Sequence, residues 1–172
     1  MKNFLSFIFI IFLFSFHANS KIASVSTDHA DIELLVETKE IKINEDFVVG
    51  IKFNIEPGWH VYWKNPGDSG LPASVDWQNI NSVKFKNFLW PPPEKTPEEP
   101  LMTYGYYNEL VLPAIFSVGS NFTDEGASQF DIDFLICEKI CIPESVSIEF
   151  DISNYSDEDV QLSRDILSSW YN

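Results

Sequence analysis

Cys137 and Cys141 are the only cysteines in the 172-residue chain, separated by three residues within Phe134-Leu135-Ile136-Cys137-Glu138-Lys139-Ile140-Cys141-Ile142-Pro143-Glu144. The chemistry open to such a pair is thiol–disulfide exchange, in which a thiolate attacks a disulfide sulfur and a mixed disulfide forms. In one extended strand the two Cα atoms would lie ~13 Å apart at about 3.3 Å per residue. A disulfide needs less than about 7 Å. Either the thiols never pair, or the chain turns between them.

The flanking runs favour the turn. Phe130, Ile132, Phe134 and Ile136 fall on one face of an alternating run, and Val146, Ile148, Phe150 and Ile152 on one face of the next. With Glu138-Lys139-Ile140 as a three-residue hairpin loop, Cys137 and Cys141 face each other across the ladder, roughly 4.5–5.5 Å apart. A disulfide closing so short a loop stabilises by only about 2 kcal/mol on the chain-entropy account, against roughly 4–5 kcal/mol for one closing most of a domain. A bridge at a turn is also easy to reach and to exchange. Redox chemistry is favoured on this count, although structural bridges are the commoner kind in exported proteins.

Other residues that could do chemistry are weaker candidates. Gly67-Asp68-Ser69-Gly70 imitates the serine of trypsin-like proteases, but that nucleophile needs a distant His and Asp brought to it. Gly67 and Asp68 read better as turn residues. Copper or zinc capture by Cys137, Cys141 and His60 or Met102 would suit soft thiolates, yet no His/Cys cluster has ligand spacing, so no metal or other cofactor is expected. Trp59, Tyr62, Trp63, Trp77 and Trp90 could form a carbohydrate platform, but alternating aromatics usually pack a sandwich core.

Met1 to Ser20 has the form of a secretory signal: Lys2, an apolar stretch from Phe4 to Phe16, and Ala18-Asn19-Ser20 before Lys21. The stretch is short of the roughly 20 apolar residues needed to span a bilayer. Nothing later could span one, so no membrane span is expected after cleavage. Roughly 150 residues would remain, the size of one domain. The net charge of −15 excludes nucleic acid as a partner, since phosphate neutralisation needs clustered Lys and Arg.

The elements that must hold the cysteines are strands. Residues 32–36 read as a first strand, and Phe47, Val49, Ile51, Phe53 and Ile55 alternate over nine residues. Pro57-Gly58 makes a turn into the aromatic strand 59–63, and residues 65–72 form a turn-rich loop. Short strands follow around 74–77 and 83–90. Five prolines within residues 90–100 read as an extended loop rather than an element. Leu110 to Val118 alternate, with Pro113 marking an edge or bulge. Ser156 is a good N-cap, followed by Asp157, Glu158 and Asp159 at the positive end of a helix on which Val160, Leu167 and Trp170 share a face. Seven or eight short strands and one helix predict an all-β fold, an antiparallel β-sandwich with a short C-terminal helix. The expected division is a signal peptide over 1–20, the β domain over 21–155 and the helix over 156–172.

One ordered series of residues adds a resemblance. Pro57 through Pro72, then Trp90-Pro91, Tyr104-Gly105, Leu112-Pro113 and finally Cys137-Glu138-Lys139-Ile140-Cys141-Ile142-Pro143 resemble the periplasmic N-terminal domain of the thiol–disulfide reductase DsbD. The suppressor-of-copper-sensitivity protein B variant is the nearer likeness, and it covers nearly the whole mature chain. The resemblance implies an immunoglobulin-like sandwich in the periplasm with protein-disulfide reductase activity. Electrons would come from a thioredoxin-like or membrane thiol–disulfide reductase and pass to periplasmic disulfide-containing client proteins. It further implies Cys137 and Cys141 as the redox pair, Cys141 as the sulfur that forms mixed disulfides, and Tyr104 and Gly105, with Met102, in the loop that caps them.

Three departures qualify these implications. DsbD separates its cysteines by five residues, whereas three separate them here, as in the copper-sensitivity variant. Leu101-Met102-Thr103 replace the acidic and phenylalanine residues of the DsbD cap. The sequence also ends at Asn172 without a membrane domain, so electrons are expected from a separate protein. Glu138 and Glu144 outnumber Lys139 beside the pair and should raise the thiol pKa. The rival expectations are an interaction module with a purely structural disulfide, or a copper-tolerance accessory.

Overall fold

Alternation of apolar and polar residues dictates most of the architecture. In the computed structural model, residues 22–171 are described, apart from 79, 99, 124 and 125; the export signal read over 1–20 lies outside the described residues. Strands β1 (Ser24–Ser26), β2 (Ala30–Val36), β3 (Asp46–Ile55), β9 (Glu109–Val118) and β6 (Val83–Phe88) form one antiparallel sheet in that order. The second sheet runs β11 (Cys141–Phe150), β10 (Ser128–Cys137), β4 (His60–Gly67), β8 (Leu101–Tyr107) and β7 (Glu94–Glu98), with β5 (Ser74–Gln78) also paired to β10. The result is an immunoglobulin-like antiparallel β-sandwich.

The core is made by the inward residues of the alternating strands. Ile32, Leu34, Val49, Ile51, Phe53, Leu112 and Phe116 are fully buried from one sheet, and Phe130, Ile132 and Ile136 from the other. Rings lock the layers together: Phe53 meets Phe134 edge-on at 5.2 Å, and Trp77 meets Phe116 at 5.0 Å. The outer face of the five-stranded sheet is covered by α1 (Asp157–Tyr171), whose Leu167 packs on Leu35 and Val111. A Cβ on Gly50 would lie 2.6 Å from Leu167, so glycine there lets the helix sit against the sheet. Ser156 caps the helix as expected. Its hydroxyl accepts from the Asp159 N–H (3.1 Å), while the Asp159 carboxylate accepts from the Ser156 N–H (2.9 Å), a reciprocal capping box. Among the described residues no helix is long and apolar enough to cross a membrane.

Four sequence expectations need correction: eleven strands form among the described residues where seven or eight were expected, residues 65–67 extend β4 where a loop was expected, and two proline positions differ. The proline-rich stretch 90–100 is not all loop, because Glu94–Glu98 pairs with β8 as an edge strand. An edge strand needs donors on one side only, which is where proline is tolerated. Pro113 does not lie on an edge strand: β9 is flanked by β3 and β6, with Pro113 opposite Gly50 of β3. Its carbonyl accepts from Leu89 N–H on the other side, just past the end of β6. N and O of one residue point the same way in an antiparallel ladder, so the missing donor falls where β6 stops.

Candidate functional site

The cysteines occupy the last rung of the β10–β11 hairpin. All ten residues of β10 pair with β11, from Ser128 opposite Phe150 to Cys137 opposite Cys141. Glu138-Lys139-Ile140 closes the turn, with Glu138 N–H donating to Ile140 O at 3.2 Å. The two sulfurs are joined as a disulfide, with Cα atoms 4.2 Å apart. The halves of the bridge differ in access. Cys137 is buried at 1 % exposure, whereas Cys141 faces solvent.

On the other side of Cys137, the register continues into β4 and β8. His60 lies opposite Cys137 and Tyr107 opposite His60; Tyr62 lies opposite Gly105. Alternation sends Val61 into the core and His60 and Tyr62 to the outer face, the face that carries the disulfide. His60 packs there between the rings of Tyr62 and Tyr107. The Tyr62 hydroxyl reaches Cys141 Sγ at 3.6 Å. A disulfide sulfur carries no proton, so the hydroxyl is the donor.

An outward tyrosine would ordinarily be wet, yet Tyr62 is 1 % exposed. The segment that leaves the end of β4, residues 67–72, explains this. Gly67 has φ +90° and packs on the Met102 carbonyl, where a Cβ would lie 2.2 Å from the oxygen. Asp68 ties the loop to β8: its N–H donates to Met102 O (2.9 Å) and its carboxylate accepts from Met102 N–H (2.8 Å). Gly70, at φ +101°, lies flat on the Tyr62 ring, where a Cβ would come within 2.4 Å. Pro72 then bridges to Tyr62 in parallel. Gly67-Asp68-Ser69-Gly70 is therefore a turn laid over Tyr62.

The structure brings Cys137 and Cys141 together and places Gly105 two strands away, where its missing Cβ lets the Val61 carbonyl approach (2.3 Å from a built Cβ). Tyr104 points to the other face of the sheet, edge-on to Trp63 at 6.3 Å. Met102 is half-exposed at the start of β8. Sequence reasoning met Tyr62 only among the core-type aromatics and Gly70 only in a turn, and tied neither to the cysteines. The available signal was parity: Tyr62 is two residues from His60 and out of phase with the core residue Val61. The local charges are mild, since Glu138 pairs loosely with the exposed Lys139 at 3.8 Å.

Residues 33–152 match the family model "Thiol:disulfide interchange protein DsbD, N-terminal". The chain belongs to this DsbD N-terminal family. Among solved structures, it is similar to the N-terminal periplasmic domain of ScsB from Proteus mirabilis, with a TM-score of 0.67 and 20% identity. That match covers 86% of this chain and 57% of the ScsB chain, so the present chain spans little more than half of its relative. The N-terminal domain of DsbD from Neisseria meningitidis in the reduced form also matches, at 15% identity and a TM-score of 0.39, covering 73% of this chain and 86% of that one. No curated protein matches the chain.

Proposed function

We propose that the chain is an exported relay domain that carries reducing equivalents to other proteins of the periplasm through Cys137 and Cys141. Residues 1–20 act as its export signal and 21–155 as the relay domain, with the 156–172 helix attached. The observation that carries the reading is the asymmetry of the bridge: one sulfur open to solvent, its partner buried, at the tip of a fully paired hairpin. The thiolate of a thioredoxin-like or membrane reductase attacks Cys141 Sγ. The Cys141–Cys137 bond breaks, and Cys137 leaves as a thiolate and takes a proton. A second donor thiol then releases Cys141, so two electrons and two protons have moved. Cys141 thiolate attacks a client disulfide, and Cys137 resolves the mixed disulfide by the reverse sequence.

Tyr62 serves this cycle as a positioning residue whose hydroxyl holds Cys141 Sγ. Met102 and Gly105 support the cap from β8, Met102 by anchoring Gly67-Asp68 and Gly105 by admitting the Val61–Tyr62 backbone, while Tyr104 braces Trp63 on the other face of the sheet. Two measurements test the proposal. A reduction potential between roughly −150 and −270 mV is expected, whereas one below about −300 mV would mark an inert structural bridge. In addition, a Cys137→Ser variant expressed in the native compartment should trap donors and clients as disulfides on Cys141.

A further inference from the structure

Next to the disulfide, the outer face of the hairpin opens into a groove of about 390 Å³. Leu135 and Pro143 form its floor as one rung of the ladder, Leu71 and Pro72 stand along one side, and Asp133 and Glu144 contribute carboxylates to the lining. Leu135 and Pro143 are two residues from Cys137 and Cys141 on the same face, about 7 Å along the strands. Leu71 is 65% exposed, the second-highest exposure among the large apolar side chains of the described residues. The opposite approach, over β4, is closed by Tyr62 and the loop lying on it. A chain whose sulfur reaches Cys141 can therefore lie over this groove but not over β4.

We propose, on the basis of the relay reading above, that this groove selects partners. It takes an apolar side chain that the partner carries about 7 Å from its reacting cysteine, two residues away in an extended segment, and it favours a Lys or Arg beside that side chain. Covering Leu71, Pro72, Leu135 and Pro143 removes apolar surface from water. Asp133 and Glu144, in a chain of net charge −15, attract a cationic neighbour and repel an anionic one. The covalent step is the one already given. The partner's thiolate attacks Cys141 Sγ, its sulfur becomes disulfide-linked to Cys141, and Cys137 departs with the electron pair and takes a proton from solvent.

The test uses the oxidised protein and reduced single-cysteine peptides that differ only two residues from the cysteine, carrying Leu, Gly or Asp there and Lys beside it. Mixed-disulfide formation is followed by mass spectrometry, with glutathione as a probe that cannot reach the groove. The Leu peptide should react about tenfold faster than the Gly or Asp peptide, the ratio expected for burying one such side chain. Replacing its Lys by Glu should slow it. In Leu71→Ser, at a position 65% exposed and outside the core, the ratio of Leu-peptide to glutathione rates should fall toward that of the Gly peptide. Equal Leu and Gly rates on the wild-type protein, with glutathione still exchanging, overturn the groove proposal and leave the relay intact. Failure of every thiol, glutathione included, overturns the relay and the groove with it.

Discussion

Removing the hydroxyl that touches Cys141 is the sharpest test of the site. In Tyr62→Phe the ring stays under Gly70, and the donor to Cys141 Sγ at 3.6 Å is lost. Hydrogen bonds to charged groups contribute about 1.5–3 kcal/mol, and a contact to sulfur at this length belongs at the low end. About 1.4 kcal/mol is one pKa unit, so the Cys141 thiol of the reduced protein should titrate about one unit higher in the variant. Where the thiol pKa lies above the working pH, the thiolate fraction falls about tenfold, and the more basic thiolate recovers roughly threefold in nucleophilicity. Attack on a disulfide should then slow by about threefold. The assay is the pH dependence of alkylation at Cys141 in a Cys137→Ser background, with and without Tyr62→Phe. Identical titration curves would refute the assignment of Tyr62, because a group that merely packs cannot stabilise the thiolate selectively.

Three further outcomes follow from the same geometry. Gly70→Ala puts a Cβ into the Tyr62 ring at a φ of +101°, and should cost about 2 kcal/mol and lower Tm by roughly 4–8 °C in a thermal melt. Reducing the disulfide should lower stability by only about 2 kcal/mol in denaturant titration, since the loop it closes is short. Burial holds the hydroxyls of Tyr106 and Tyr155 protonated far above the ordinary 10.0, with Asp159 adding repulsion at Tyr155 and the Ala23 N–H opposing it. These raised folded-state values contribute stability that is complete below the unfolded value and is lost as pH climbs past it. Unfolding should therefore set in above about pH 10, and Tyr106→Phe, which removes the bond to Pro91 O (2.7 Å), should flatten that decline in an alkaline circular-dichroism titration.

Strands with one wet and one dry face were legible in the sequence. Phe47 to Ile55 and Phe130 to Ile136 alternate because only one side of each meets the core, and the turn at Glu138-Lys139-Ile140 followed from the parity of its two arms. What escaped was buried on both faces or paired at an edge. Leu101–Tyr107 does not alternate, since Tyr106 faces the core while Thr103 is fully buried on the outer face. Glu94–Glu98 hides behind its prolines. The alternating aromatics read as core, but His60, Val61 and Tyr62 are all buried, at 2%, 2% and 1%, with His60 and Tyr62 on the outer face. A loop folded over the outer face erases the contrast that periodicity relies on. The resemblance puts Tyr104-Gly105 in a capping loop, whereas both lie within strand β8, and the direction of the Tyr104 ring depends on a register that spacing alone does not contain.

Because the two sulfurs share one rung of a single hairpin, and do not staple one sheet to the other, opening the bond leaves every other rung of the ladder in place. The oxidised and reduced molecules then present nearly the same silhouette to a visitor. No spring is wound or released during turnover. The direction of electron flow would be set by the supply of reduced donor and oxidised acceptor, and the protein would run in reverse whenever that supply is inverted.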